Sequence, residues 1–368
     1  MATADLTRDP TLAEQLEHGR ALPSEWYVDP AIFELEQRRV FGRHWQYAGH
    51  VGQVRNPGDF FTCEVGSVPL LVVRGKDEQL RAFLNICPHR LHPVAAGAGN
   101  RSSLQCRYHA WTFKLDGKLA GAPRSEREAA FDKREHCLTQ AQVGTLGELV
   151  FVNADPQAPS LEEALGDFPN QIAGADVDLA ARTYRGTRQF EVEANWKVII
   201  ENSVECYHCP TIHPGMSAEL DIGPENYRIE HGPGWSVQFA PVKDAALPPE
   251  RRGTGELIED VMAYLFPTTA ILGNVLSSEV FVFSWRPTSP STCVTRVDCY
   301  SSRGSDDAVT EDELFEAITA LYSQDLVVVR EIQRNHRSGV APRGTLLVDS
   351  EVAIQQFQLA VHAAVAGP

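Results

Sequence analysis

Two histidines give the segment FEVEANWKVIIENSVECYHCPTIHP, Phe190 to Pro214, its chemical interest. His208 and His213 stand on either side of Pro210, and the C-x2-C of Cys206 and Cys209 that flanks His208 has no second pair to complete a metal finger. Such a pair suits a site completed by a carboxylate from elsewhere, the 2-His-1-carboxylate set that leaves positions open on iron(II). The plain alternative is two ordinary polar histidines beside a core helix. The elements that must position them follow from the pattern. Phe190, Val192 and Ala194 alternate with Glu191 and Glu193, which predicts a half-buried strand. Trp196, Ile199, Ile200, Val204 and Tyr207 then recur at helical spacing until Pro210. That helix would carry Glu201, Glu205 and His208 on one face.

A second set lies earlier, in Cys87-Pro88-His89-Arg90 and Cys106-Arg107-Tyr108-His109. Two cysteines and two histidines could hold a structural zinc. Zinc fingers, however, group their thiolates in one loop and their imidazoles in another. Here each loop offers one of each. A Rieske [2Fe–2S] centre has two cysteines on one iron and two histidines on the other. Two mixed loops can clasp it from both sides, so the pattern favours the cluster over zinc.

A third candidate emerges from the C-terminal pattern. Thr310 and Glu313 form a capping box before a long helix. Its apolar stripe reads Leu314, Ile318, Leu321, Asp325, Val328, Ile332, so Asp325 falls where an apolar residue belongs. A buried carboxylate must be protonated, paired or on a metal. Arg330 and Arg334 sit on other faces, which leaves Asp325 as the missing carboxylate.

The remainder frames these sites. A chain of 368 residues with 43% hydrophobic and 22% charged residues suggests a two-domain globular protein. Its net charge of −16 argues against nucleic acid or an anionic membrane as partner. No apolar run is long enough to span a bilayer and the N-terminus lacks a signal-peptide h-region, so a cytoplasmic location is expected. There the eight cysteines serve as ligands or core fillers rather than disulfides. Cys63, Cys137, Cys293 and Cys299 read as buried small hydrophobes, Cys206 and Cys209 as core or pocket wall. Residues 1–44 form an arm and a helix opened by Pro30. Residues 45–155 form a small all-β domain of short runs such as DFFTCEV, VPLLVVRG and GELVFVN. Residues 156–368 form an α+β domain.

The CPHR and CRYHAWTF loops, with N-W-K-x3-E-N followed by a carboxylate, Tyr and His, resemble the Rieske non-haem iron oxygenases, catalytic (alpha) subunit. The resemblance runs from about Trp26 to Phe357. Leu91 and Ala110 depart from it, standing where these oxygenases usually have glycine. The family implies an α+β fold: an all-β Rieske domain plus a helix-grip catalytic domain, a curved antiparallel sheet wrapped on a long C-terminal helix. It implies a [2Fe–2S] cluster on Cys87, His89, Cys106 and His109, and a mononuclear Fe(II) on His208, His213 and Asp325. The last lies in the segment QDLVVVREIQ, a context that resembles the family's. Glu205 would bridge an iron-ligand histidine to a cluster histidine of the adjacent subunit in a homotrimer.

No Gly-rich dinucleotide fingerprint is present, so NAD(P)H would act through a separate flavin/iron–sulfur reductase. The spacing in ENSVECYHCP, with Glu at 205, looks like the group acting on glycine betaine, choline, carnitine and stachydrine. The expected activity is therefore O2-dependent hydroxylation or N-demethylation of a small quaternary ammonium compound. Phe281, Phe283 and Trp285 alternate on one strand face, as an aromatic cage or as plain core. An aromatic-ring hydroxylase is the alternative, and an electron carrier using the first domain alone a more remote one.

Overall fold

The computed structural model describes residues 7, 9–173, 175, 177, 179, 182–273, 276, 279–302 and 309–367. The chain divides into two compact units, Phe41–Ala164 and Met1–Val40 with Leu165–Pro368. The N-terminal arm thus belongs to the second unit.

The first unit is built on a seven-stranded antiparallel sheet. Its order is Gln46–His50, Leu149–Asn153, Gln140–Leu146, Leu80–Leu84, Val68–Arg74, Asp59–Val65, Ala98–Asn100. The run VPLLVVR is apolar almost throughout because both faces of its strand are covered. Leu70 and Val72 join one core with Phe61, Val150 and Val152. Leu71 and Val73 join the other with Phe60, Phe83, Trp111 and Phe113, and that second core contains Cys87 and Cys106. A small three-stranded sheet, Leu104–Gln105, Thr112–Phe113 and Leu119–Gly121, carries the second cysteine loop.

The second unit holds the other seven-stranded antiparallel sheet. Its order is Thr183–Val192, Thr292–Ser301, Glu279–Ser289, Thr269–Gly273, Glu259–Leu265, Trp235–Pro241, Arg228–Gly232. Helices Trp196–Ser203 and Glu311–Arg337 pack with it. This is the expected α+β, helix-grip arrangement. The capping box forms: Thr310 accepts from the Glu313 amide, and Glu313 accepts from that of Thr310. No helix among the described residues is long and apolar enough to cross a membrane.

Two expectations about the helices need correction. The helix from Trp196 stops at Ser203 and does not reach Pro210. Val204 closes it, donating to the Ile200 carbonyl. Glu205 then turns its carboxylate back onto the amides of Tyr207 and His208, competing with helical bonding. Tyr207 is consequently exposed. In the long helix the buried face is Leu314, Phe315, Ile318, Tyr322, Leu326, Val329 and Gln333. Ile332 lies outside it and Asp325 sits at its margin. A straight helix drifts from a strict seven-residue repeat, so the stripe migrates by a residue along the helix.

The start of the short helix is anchored by polar groups. The Asn195 side chain caps the Lys197 amide and donates to the Tyr27 and Pro290 carbonyls. Gln333 accepts from the Asn195 amide at 2.8 Å. Lys197 is fully buried and paired with Glu36, whose other oxygen accepts from the Trp196 indole at 2.8 Å. Removing one partner of such a pair would strand a buried charge, a loss of about 3–5 kcal/mol.

Glu201 does not share a helix face with Glu205 and His208, as the spacing suggested, because the helix ends before them. Its carboxylate accepts from Tyr27 Oη at 2.7 Å and Gln358 Nε2 at 2.9 Å. Burial, opposed by those hydrogen bonds and Lys197, pushes its pKa up to about 7. The folded state therefore holds a proton that the unfolded chain releases near its ordinary 4.5. That contribution is complete below pH 4.5 and is lost as pH rises through 7. Glu201→Gln keeps both acceptor contacts without the charge. Its urea midpoint relative to wild type should therefore climb between pH 5 and pH 8, by about 2–3 kcal/mol in stability. A constant difference across that range refutes the buried-acid assignment.

Candidate metal centres

Asn85 holds the first cysteine loop, accepting from the amides of Val94 and Ala95 and donating to the Ala95 carbonyl. Within the loops one pattern repeats. The Leu91 amide donates to the Cys87 carbonyl and the Ala110 amide to the Cys106 carbonyl, at 2.9 and 3.0 Å. Leu91 and Ala110 both take left-handed backbone, φ 61° and 58°. The loops thus keep, with side chains present, the conformation that glycine adopts most easily.

The result is a graded site. Cys87 and Cys106 are buried, while His89 and His109 stand exposed above them with ring centroids 4.7 Å apart. His89 stacks on Trp111 at 4.8 Å. Burial and the neighbouring Cys106 thiol raise the Cys87 pKa, opposed by backbone hydrogen bonds. Among the described residues, no three of these four bring ligand atoms within 4.8 Å of one another. One tetrahedral zinc would require that convergence. A thiol pair below and an imidazole pair above fit two irons.

The one group of described residues that does converge is His208, His213 and Asp325. Nε2 of His208 lies 3.3 Å from Nε2 of His213 and 3.4 Å from Asp325 Oδ1, and the third edge is 2.9 Å. Ligands about 2.1 Å from a metal at right angles would stand about 3.0 Å apart. The triangle matches one face of an octahedron. Each imidazole is oriented from behind. His208 Nδ1 lies 2.5 Å from Glu205 Oε1, and His213 Nδ1 lies 2.7 Å from Gln324 Oε1. Such bonds fix the tautomer that leaves Nε2 for the metal.

The electrostatics agree. Burial disfavours charge on His208, yet hydrogen bonds to Asp325 and Glu205 raise its pKa to about 9. His213 is also raised, burial being outweighed by Asp325 and Gln324. Burial pushes Asp325 up, but the two histidines lower it overall. The site thus attracts positive charge, and a metal would displace the imidazole protons.

Residues 179–367 match the ring hydroxylating alpha subunit (catalytic domain) family, and residues 44–140 match the Rieske [2Fe-2S] domain. The chain belongs to the Rieske ring-hydroxylating oxygenases, as an alpha subunit. The carnitine monooxygenase oxygenase subunit of Escherichia coli (strain K12) is 32% identical over 342 residues, 89% of this chain and 88% of that one. The glycine betaine monooxygenase oxygenase subunit of Pseudomonas aeruginosa (strain UCBPP-PA14) is 35% identical over 220 residues, 60% of this chain and 49% of its own. The crystal structure of the quaternary ammonium Rieske monooxygenase CntA with L-carnitine aligns at TM-score 0.81 and 28% identity. It covers 96% of this chain and 98% of that one. As a Rieske oxygenase subunit, the chain works with a [2Fe–2S] cluster, a mononuclear iron and electrons delivered from NAD(P)H by a reductase.

Several features were hidden in the sequence. Gln324 adjoins Asp325 in the QD pair, but no local pattern announces its contact with His213. Asn202 Nδ2 stands 3.4 Å from His208 Nε2, in the E-N pair of the motif. Cys206 and Cys209 correct the expectation of free core thiols: they form a disulfide. The Cys209 amide donates to the Cys206 carbonyl, so the turn itself folds the two together. Cys293 and Cys299 are buried as expected, but Cys63 and Cys137 are half-exposed.

Proposed function

We propose that this subunit oxygenates a small quaternary ammonium compound, by hydroxylation or N-demethylation. The observation that carries the reading is the His208–His213–Asp325 triangle beside Glu205, in a chain similar over most of its length to a carnitine monooxygenase oxygenase subunit. In this reading the triangle holds the mononuclear iron. Cys87 and Cys106 hold one iron of the cluster, and His89 and His109 the other. When bound, the mononuclear iron supplies activation of O2 next to the substrate, with electrons supplied singly by the cluster.

The chain's own residues set the conditions for that chemistry. Glu205 and Gln324 accept the Nδ1 protons of the two histidines and keep Nε2 turned inward. Tyr322, one turn before Asp325, packs against Phe283 at 6.1 Å, and Phe283 stacks with Trp285. Phe281 packs on Phe315. Of these, the Tyr322, Phe283 and Trp285 rings set buried apolar surface one helical turn from Asp325. The assembly we propose is a cytoplasmic homotrimer served by a flavin/iron–sulfur reductase. In it Glu205 of one subunit faces His109 or His89 of the partner subunit. One of the CntA structures is described as revealing inter-subunit electron transfer.

The test is coupled O2 consumption with NADH and a cognate reductase across carnitine, glycine betaine, choline, stachydrine and a set of aromatic acids. One quaternary ammonium compound should give product in proportion to O2 consumed. Coupled turnover of aromatic acids without any from the betaines would make this a ring hydroxylase instead.

A further inference from the structure

One contact of the cluster loops is not used by the site described above. His89 lies flat on the Trp111 indole, with 3° between the ring planes. Trp111 is buried and meets two further rings edge-on, Phe131 at 5.5 Å and His136 at 5.6 Å. Those two stack on each other at 4.6 Å, and both are half-buried. A histidine of the first cysteine loop is thus joined, through one buried indole, to a pair of rings at the surface. Phe131 also lines an open groove of about 650 Å³, together with Lys133 and with Gln105 and Ala110, which bracket the second cysteine loop.

Packing alone needs no such file of rings, and the surface charge adds a separate observation. The chain has a net charge of −16, yet no Asp or Glu occurs from Gln79 to Leu115. Residues 87–136 hold nine Lys and Arg against five Asp and Glu. Among them Arg90, Arg107, Arg124, Arg127 and Lys133 are exposed. Two acids, Glu126 and Glu128, line the groove itself, and Arg124 and Arg127 stand beside them in sequence. The result is a basic, ring-centred face on a strongly acidic molecule. Aromatic rings rimmed by charge have the anatomy of a docking patch, and the excess of cations steers an acidic partner to it.

We propose that this face is where the reductase docks. An acidic [2Fe–2S] domain of the reductase seats over Phe131 and His136 and passes electrons one at a time through Trp111 and His89. The inference rests on the reading of Cys87, His89, Cys106 and His109 as the cluster ligands. At each transfer the partner's reduced centre returns to its diferric state, and one ferric iron of the cluster becomes ferrous. The rings are neither oxidised nor reduced. Electron tunnelling falls exponentially with the width of the gap between donor and acceptor, and rings in contact narrow that gap.

Entry at this face leaves the exit free. The Glu205 contact proposed between subunits engages a ring nitrogen, and a hydrogen bond to that nitrogen lies in the plane of the imidazole. Trp111 covers the face of His89 instead. One imidazole can serve both, so the reductase and the neighbouring subunit need not compete.

The test uses the iron-loaded subunit and its cognate flavin/[2Fe–2S] reductase. Binding is read by biolayer interferometry and cluster reduction by stopped-flow absorbance, with dithionite as a reductant that needs no docking. A double charge reversal, Arg127→Glu with Lys133→Glu, should weaken reductase binding by about tenfold and flatten its salt dependence. Lys76→Glu lies in the turn before the strand Leu80–Leu84, whose other end leads to the first cysteine loop, and should bind as wild type. Phe131→Leu should lower the limiting rate of reduction at saturating reductase severalfold, with reduction by dithionite unchanged. Should Phe131→Leu fail to fold, His136→Gln gives the same comparison at the other surface ring. The proposal is overturned if the double reversal binds normally, if Lys76→Glu is equally impaired, or if neither ring variant alters the limiting rate. It is overturned equally if the double reversal dissociates the oligomer, which would make this face a contact between subunits. A protein without a cluster spectrum that dithionite can bleach would refute the ligand assignment and this proposal with it, a failure visible before any reductase is added.

Discussion

Asp325→Ala should remove one iron per chain and leave the brown [2Fe–2S] chromophore intact. Wild type should carry about three irons, two in the cluster and one outside it. Asp325 Oδ1 contacts both imidazoles, at 2.9 and 3.4 Å. No other carboxylate among the described residues belongs to that group. Deleting it leaves two neutral donors and opens a third position, so affinity should fall by more than the 10- to 100-fold typical of losing a ligand's supporting hydrogen bond. Turnover should disappear with the metal. Cys87→Ser or His109→Ala should do the converse, bleaching the cluster absorbance while the triangle is untouched. Metal analysis with the visible spectrum reads both. Zinc at the cysteine loops, or an unchanged iron count in Asp325→Ala, would sink the assignment. The same count separates an oxygenase from an electron carrier, which would need only the cluster.

Glu205→Gln should separate iron binding from electron delivery. In the structure the Glu205 carboxylate meets His208 Nδ1 through one oxygen and the amides of Tyr207 and His208 through the other. Gln retains an acceptor but loses the charge that favours a proton on that imidazole. Iron should stay bound, because Asp325 and His213 are unaltered and Glu205 is not a ligand. The reduced cluster should then reoxidise about 10- to 100-fold more slowly when mixed with O2 and substrate. Product per turnover should fall in step, with the oligomer unchanged in sedimentation. Wild-type reoxidation in this variant would remove the bridging role proposed for Glu205. Loss of iron would instead make Glu205 a structural support of His208.

The candidate ligands were legible in the sequence for different reasons. Cysteines 87 and 106 and their histidines declared themselves by loop pattern, because a cluster spanning two irons dictates which residue types each loop supplies. Asp325 stands out by its intrusion into an apolar stripe, although beyond Ile318 the buried face lies one residue further along the helix. The strands were legible where burial on one or both faces imposes an apolar pattern, as in VPLLVVR. Glu201 was misread because spacing reports which residues share an ideal helix face, and this helix ends at Ser203. Nothing in the local pattern announces that Glu205 will take the amides of Tyr207 and His208.

By itself, then, the sequence determined the α+β class and supplied the candidate donor set, divided between two proposed centres. These are local properties of residue type and period, legible without knowing which distant segments meet. Tertiary structure alone decided what lies behind each donor. Gln324 reaches His213 across 111 positions, and Gln358 reaches Glu201 across 157. Lys197 is neutralised by Glu36 from 161 residues away. Such contacts depend on how the long helix, the C-terminal helix and the N-terminal arm pack against one short helix. A hydrogen bond is set by positions fixed to within a few tenths of an ångström, which no residue period encodes.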